Sequence, residues 1–233
     1  GLIFGGKEKT YQSWNGIDEN TYKINRKFNS SGAIYQGGNI VKFYDNETDN
    51  YQQNHYHLIL NQNISNHWDL ETTLHYTKGK GFYENYKQDQ RPDKYNILNS
   101  GIVKTDLIRK KWLDNDFYGT VFSANYRRQA IELILGGAAN VYEGNHYNET
   151  VWTENATNPY RDISDWVYGN KQEVSAFTKL TWQIAPKLSL FGDIQYRRVN
   201  FRSTLKKTQV NESIPMLNPK AGISYFLSPA STL

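Results

Sequence analysis

The chain has 233 residues, 27 Lys and Arg against 23 Asp and Glu, a formal charge of +4 and no cysteine. That length suits one large domain, and the missing cysteines exclude a disulfide framework, thiol chemistry and a thiolate zinc site. The densest basic clusters, Arg109-Lys110-Lys111 and Lys206-Lys207, are too short and too scattered for a nucleic-acid stripe, so no nucleic-acid partner is expected.

Along the chain, strict alternation of apolar and polar residues recurs, the mark of strands whose successive side chains point to opposite faces. A first short strand covers residues 2–7. The next places Tyr56, Leu58 and Leu60 on one face and His57, Ile59 and Asn61 on the other. Residues 68–76 set Trp68, Leu70, Thr72, Leu74 and Tyr76 against Asp69, Glu71, Thr73 and His75. Similar faces follow at 118–126, 131–141, 174–184, 188–196 and 221–227. Several carry aliphatic centres with an aromatic at one or both ends, as in Trp68 and Tyr76 or Tyr118 and Tyr126. That is the layout of an apolar band between two aromatic girdles. Soluble sandwich strands also alternate, but they are usually five or six residues long.

The joins alternate in length. Short turns are expected at Ser65-Asn66-His67, Arg127-Arg128-Gln129-Ala130, Ala185-Pro186-Lys187 and Ser228-Pro229-Ala230. Long loops are expected at about 9–54, 81–114, 143–171 and 199–218. Short periplasmic turns and long extracellular loops belong to outer-membrane barrels. Mean hydropathy is −0.76, and no apolar run approaches the ~20 residues of a spanning helix. Neither observation speaks against a barrel, whose strands need only alternate apolar residues. The opening Gly-Leu-Ile-Phe-Gly-Gly has no basic start or extended apolar core, so no signal peptide is expected there. The expected fold is all-β, an antiparallel up-and-down meander of about eight strands over residues 1–233. With its first strand short and its last turn at the end, it reads as part of a longer barrel.

Two segments near the start carry a family resemblance. Residues 4–16 read Phe-Gly-Gly-Lys-Glu-Lys-Thr-Tyr-Gln-Ser-Trp-Asn-Gly, and residues 44–56 read Tyr-Asp-Asn-Glu-Thr-Asp-Asn-Tyr-Gln-Gln-Asn-His-Tyr. Together with residues 74–84 and 136–147, they resemble the barrel of TonB-dependent outer-membrane receptors of the Bacteroides type. The resemblance implies a barrel of 22 strands in the bacterial outer membrane, a plug domain, energy supplied through TonB, and a ligand held by plug, loops and inner wall. It implies a receptor and not an enzyme. A non-transport barrel or surface adhesin, and a soluble glycan-binding β-domain, are the rival readings.

No nucleophile, cofactor or metal set is marked. His55 and His57 share a strand face and could pair on a metal, but no third ligand is placed by sequence, and lumen-facing polar residues explain them. Gly79-Lys80-Gly81 lacks the third glycine and helix of a phosphate loop, and Asp114-Asn115-Asp116 lacks the glycine of a calcium loop. The Gly136-Gly137 pair thins a strand where backbone or a plug packs close. The expected loops are rich in aromatics among Asn, Gln, Lys and Arg. Trp14 and Tyr22 in the first, Tyr83, Tyr86 and Trp112 in the second, and Trp152, Tyr160 and Trp166 in the third suit a large polar ligand such as an iron chelate, a cobalamin-like ring or a glycan. The same aromatics would equally pack the loops together. Exposed sheet edges pair with other chains, so the isolated chain is expected to self-associate.

Overall fold

The computed structural model describes residues 1–97, 101–155, 162–204, 208–228 and 231–232. Its main sheet contains β1 (Leu2–Tyr11), β4 (Thr48–Ser65), β5 (Trp68–Gln90), β6 (Thr105–Arg128), β7 (Ile131–Thr153), β8 (Asp162–Ala185), β9 (Leu188–Thr204), β10 (Gln209–Ser228) and the two-residue β11 (Ser231–Thr232). Strand order is β1-β4-β5-β6-β7-β8-β9-β10-β11, every pair is antiparallel, and the sheet is open. Between β1 and β4 the chain forms a short helix, α1 (Glu19–Ile24), and a separate hairpin of β2 (Ala33–Gln36) and β3 (Asn39–Phe43). The up-and-down meander expected from the alternation is therefore present.

The register sorts side chains into two faces. Trp68, Leu70, Thr72, Leu74 and Tyr76 pair with Tyr126, Ala124, Phe122, Thr120 and Tyr118. These pair in turn with Leu133, Leu135, Gly137, Ala139 and Val141 of β7. This apolar face has almost no charge and is the lipid side. The opposite, lumen face carries Asp69, Glu71, Thr73 and His75 beside Asn125, Ser123, Val121 and Gly119. Nine residues from Trp68 to Tyr76 span ~26 Å of strand, and about nine to eleven residues are what a tilted membrane-crossing strand uses.

The girdles also reveal the strand tilt. The register row through Tyr76 runs to Tyr118, Val141, Gln172 and Asn200. The girdle residue on β9 is instead Tyr196, lower by one residue for each of the four strand steps. A shift of ~13 Å across ~19 Å of sheet is a tilt of ~35°, within the range of closed barrels.

Gly136 and Gly137 are filled by rings. A Cβ at Gly136 would strike the Phe177 ring on the lumen face, and one at Gly137 would meet Phe122 on the outer face at 3.0 Å. Backbone packs close as well, as the sequence reading expected: a Cβ at Gly137 would lie 2.6 Å from the Ser175 carbonyl oxygen, and one at Gly136 3.1 Å from that of Phe122.

The expected loops are mostly strand, and this corrects their limits. β5 continues to Gln90, β6 starts at Thr105, β7 reaches Thr153 and β9 and β10 extend to Thr204 and Gln209. Phe82, Tyr83, Tyr86, Trp112, Tyr142, Tyr147, Trp152 and Trp166 are strand residues, not loop residues. The sequence reading ended each strand where its apolar face turned polar. The hydrogen-bond ladder is indifferent to that change, because above the membrane both faces of a strand are stable in water. The turns contract to Asn66-His67, Gln129-Ala130 and Pro186-Lys187, with Gln129 taking the left-handed conformation at φ 49°. Pro229, Ala230, Tyr160, Lys206 and Lys207 lie outside the described residues.

β4 ends at Thr48, so the edge of β5 above Tyr83 lacks a strand neighbour. The β1–β4 connection covers it with side chains. The Glu47 carboxylate accepts from the Tyr86 backbone N–H at 2.9 Å and from Asn85 Nδ2 at 2.7 Å. Gln12 Nε2 donates to the Glu84 carbonyl at 3.0 Å. The Tyr35 backbone exchanges two hydrogen bonds with the Gln88 side chain. Glu84 in turn accepts from Tyr44 Oη and from Asn46 Nδ2. Gln12, Glu47, Glu84 and Asn85 are all buried, so each bond removed leaves a polar group without water.

Two outcomes are expected. Leu60 and Ile59 are 59% and 46% exposed in the isolated sheet, yet only Leu60 faces lipid at mid-band. In a barrel folded into vesicles, Leu60→Arg should cost about 2–4 kcal/mol by denaturant unfolding, while Ile59→Arg should cost far less. Glu47→Ala leaves the Tyr86 N–H unsatisfied and removes one of two acceptors of the Asn85 amide, which keeps Gln12 Oε1 at 2.8 Å, a loss of about 1–3 kcal/mol. Hydrogen exchange at Tyr86 should accelerate about tenfold or more, with faster cleavage near Lys23 and Arg26.

Candidate functional site

The alternation continues upward from the band, so the upper wall also has two faces. On the outer face the first tier above the girdle is ionic. Lys78 Nζ lies 2.8 Å from both Asp114 and Asp116, Lys80 Nζ lies 2.8 Å from Asp114, and Tyr76 Oη donates to Asp116 at 2.6 Å. The Asp114-Asn115-Asp116 stretch is thus an ion-pair partner for two lysines, and Gly79-Lys80-Gly81 is strand. Above that tier runs an aromatic row across β5, β6, β7 and β8. Phe82 and Trp112 have centroids 4.6 Å apart, Trp112 and Tyr147 6.1 Å, and Tyr147 and Trp166 4.9 Å at 8° between planes. Trp112 Nε1 donates to Glu149 at 2.6 Å. Higher still, Tyr86 stacks on Trp152 at 6.2 Å and donates to Asp106 at 2.6 Å.

The lumen face has a different chemistry. Tyr83 pairs with Lys111, whose ammonium lies 5.6 Å over the Tyr83 ring. Trp14 meets the same ring edge-on at 5.3 Å. Lys87 and Arg109 follow the same face upward. Arg109 donates to Asn85 Oδ1 at 3.1 Å. Its Nε is buried without a hydrogen-bond partner among the described residues. Within the described residues, neither lysine nor Arg109 has a carboxylate within ion-pair distance. Burial, and then the Arg109 charge, push Lys87 below its ordinary value. Burial, and then Lys111, push the His146 imidazole below its ordinary value, so it sits neutral in this basic mouth. The connection after β5 makes a 3-10 turn over Pro92–Tyr95 and folds onto this face. Tyr95 and Ile97 bury Leu107, and Asn96 Nδ2 donates to the Ile163 carbonyl at 2.9 Å.

Seven of the eight loop aromatics singled out in the sequence lie among the described residues, and they divide. Trp14 and Tyr83 meet at the lumen mouth. Trp112 and Trp166 share the outer row, and Tyr86 and Trp152 form a pair above it. Tyr22 stands exposed on α1 under Arg26, 5.6 Å away. Lys87 was not singled out, and Arg109 and Lys111 were noted only as part of a basic cluster and not as ligand-site residues. Their signal was present, since counting by twos from His75 reaches Tyr83, Asn85 and Lys87.

His55 and His57 do share the lumen face, with ring centroids 6.1 Å apart. His55 stacks on Phe4 at 4.4 Å and pairs with Thr77 Oγ1 at 3.0 Å. His75 joins them across the register from His57, and bonds Asn140 at 2.9 Å. Among the described residues no cluster of three or more His, Asp or Glu is arranged to hold a metal ion.

No curated protein matches the sequence. Solved structures do resemble the sheet. The ferric-catecholate import receptor Fiu from Escherichia coli K12 aligns with a TM-score of 0.55 and 12% identity, over 97% of this chain and 38% of that one. The siderophore receptor PiuA from Acinetobacter baumannii aligns with a TM-score of 0.56 and 11% identity, over 85% and 35%. The copper transporter OprC gives 0.54 and 15%, over 78% and 29%. At these identities the likeness is one of fold, and the chain spans well under half of each. The family described as TonB dependent receptor-like, beta-barrel matches residues 3–233. The antiparallel wall with its apolar band agrees with that match, and the chain belongs to the TonB-dependent receptor β-barrel family of the outer membrane, a family of receptors and not of enzymes.

Proposed function

We propose that this chain forms part of the wall of a receptor that takes up a large, anionic polar ligand, and that the ligand is a metal chelate. Transport would be driven by TonB acting on a plug domain held in the lumen. The observation that carries this reading is the lumen mouth at Trp14, Tyr83, Lys87, Arg109 and Lys111. Its cations have no ion-pair partners in the described wall, and its rings stand beside them. A ligand with negative charge and flat, conjugated groups satisfies both at once. The roles of Fiu and PiuA, import of a ferric catecholate and reception of a siderophore, support the same class. A neutral glycan would leave the cations unused.

Adjacent residues provide the test, because Lys111 faces the lumen and Lys110 faces outward, 3.7 Å from Glu84. In the full-length receptor, Lys111→Ala should weaken binding of an anionic ferric chelate roughly tenfold or more, read by fluorescence quenching. Lys110→Ala should leave that affinity near the parent value. Equal losses in the two variants would remove the lumen assignment, and unchanged affinity in both would remove the anionic ligand.

We also propose that the isolated 233-residue chain self-associates, since β1 presents an open edge and the outer face an uncovered apolar band. Light scattering should find oligomers or detergent complexes; a detergent-free monomer would refute this.

A further inference from the structure

The outer face of β1, β4, β5 and β6 contains a cavity of about 490 Å3 that the uptake reading leaves unused. Glu8, between two lysines, borders it from a register row that faces the lumen, and Lys7, Lys9, Gln52, Lys80, Phe82 and Trp112 are among its other lining residues. Register puts all six on the lipid side, because Lys7 pairs with Gln52, Gln52 with Lys80, and Lys9 lies in the row of Asn50, Phe82 and Trp112. This cavity therefore opens toward the membrane surroundings of the barrel and not toward its lumen.

Charge and height decide what fits. Lys78 and Lys80 are balanced by Asp114 and Asp116, and Lys110 by Glu84. Lys7 and Lys9 have no ion-pair partner among the described residues, so two positive charges are left at the lower edge of the cavity. With the girdle rising one residue per strand from β5 toward β1, Lys7 and Lys9 stand ~5 and ~11 Å above the hydrocarbon edge, while Phe82 and Trp112 stand ~16 and ~19 Å above it. Cations thus lie at headgroup depth and aromatic rings above them. The outer leaflet of this membrane is built of glycolipid whose sugars carry phosphate. Phosphate answers the lysines, and a sugar ring answers the aromatic faces.

We infer that this cavity binds the phosphorylated sugar headgroup of an outer-leaflet glycolipid. Lys7 and Lys9 hold its phosphate, Gln52 hydrogen-bonds the sugar, and Phe82 and Trp112 stack against the saccharide above. The site would fix the barrel's depth and rotation against the leaflet, independently of any ligand in the lumen.

The test uses the full-length receptor in a neutral, glycolipid-free detergent, titrated with purified bacterial glycolipid and followed by native mass spectrometry. A lysine beside an anionic lipid surface accounts for about fivefold in affinity, so Lys7→Gln with Lys9→Gln should weaken binding roughly 25-fold. Enzymatically dephosphorylated glycolipid should bind the parent protein as weakly as intact glycolipid binds the double variant. Retention of parent affinity in the double variant would overturn the proposal. So would equal binding of phosphatidylglycerol, which supplies phosphate without a saccharide. If the double variant fails to fold, Lys9→Gln alone gives the same reading, with an expected loss of about fivefold.

Discussion

In hydrocarbon, a peptide N–H or C=O without a partner costs several kcal/mol, and a continuous ladder of antiparallel strands is one of two ways to avoid that cost. From β4 to β9 each strand has a neighbour on both sides. Once the ladder exists, side-chain parity is forced: a residue two places further along a strand returns to the same face. Parity holds through the apolar band and the ionic tier above it. It is interrupted high on the wall at Lys87/Gln90, Ile108/Arg109 and His146/Asn148, and again beside the short turns at Asn63/Ser65, Gln183/Ala185 and Phe226/Ser228, at the two ends of the strands, where an extra residue is tolerated.

Parity makes neighbours in sequence perform unrelated tasks. Lys110 packs its charge over Phe82 at 4.2 Å on the outside, while Lys111 lies over Tyr83 on the inside. Phe82 and Tyr83 divide in the same way. The wall is one strand thick, so a basic and aromatic segment such as 109–112 supplies two surfaces with different surroundings. One surface meets the membrane's outer leaflet, and the other meets whatever enters the mouth.

Height on the wall adds a second coordinate. The ~35° tilt lowers the girdle by one residue for each strand step, so equal register does not mean equal depth. Tyr76 and Tyr196 stand at the same membrane edge although they are offset by four residues in the ladder. Where β4 stops short of β5, depth also changes how the edge is satisfied. Strand pairing gives way to Glu47, Gln12 and the Tyr35–Gln88 exchange, side chains that imitate a missing strand and hold the first connection against the wall.

The alternation was legible in the sequence because lipid imposes it: residues 68–76 and 174–184 must segregate apolar from polar side chains. Three tight turns and the girdle aromatics were legible for the same reason. Strand lengths were not, since water imposes no pattern on either face above the membrane, and Tyr83, Trp112 and Trp166 therefore read as loop. Which of those aromatics faces inward was decided by register and by bulges, features of backbone pairing across strands. The mouth formed by Trp14 and Tyr83 exists only because a connection between β1 and β4 folds back onto β5. That contact joins residues far apart in the chain through buried polar groups, for which local sequence carries no periodic signal.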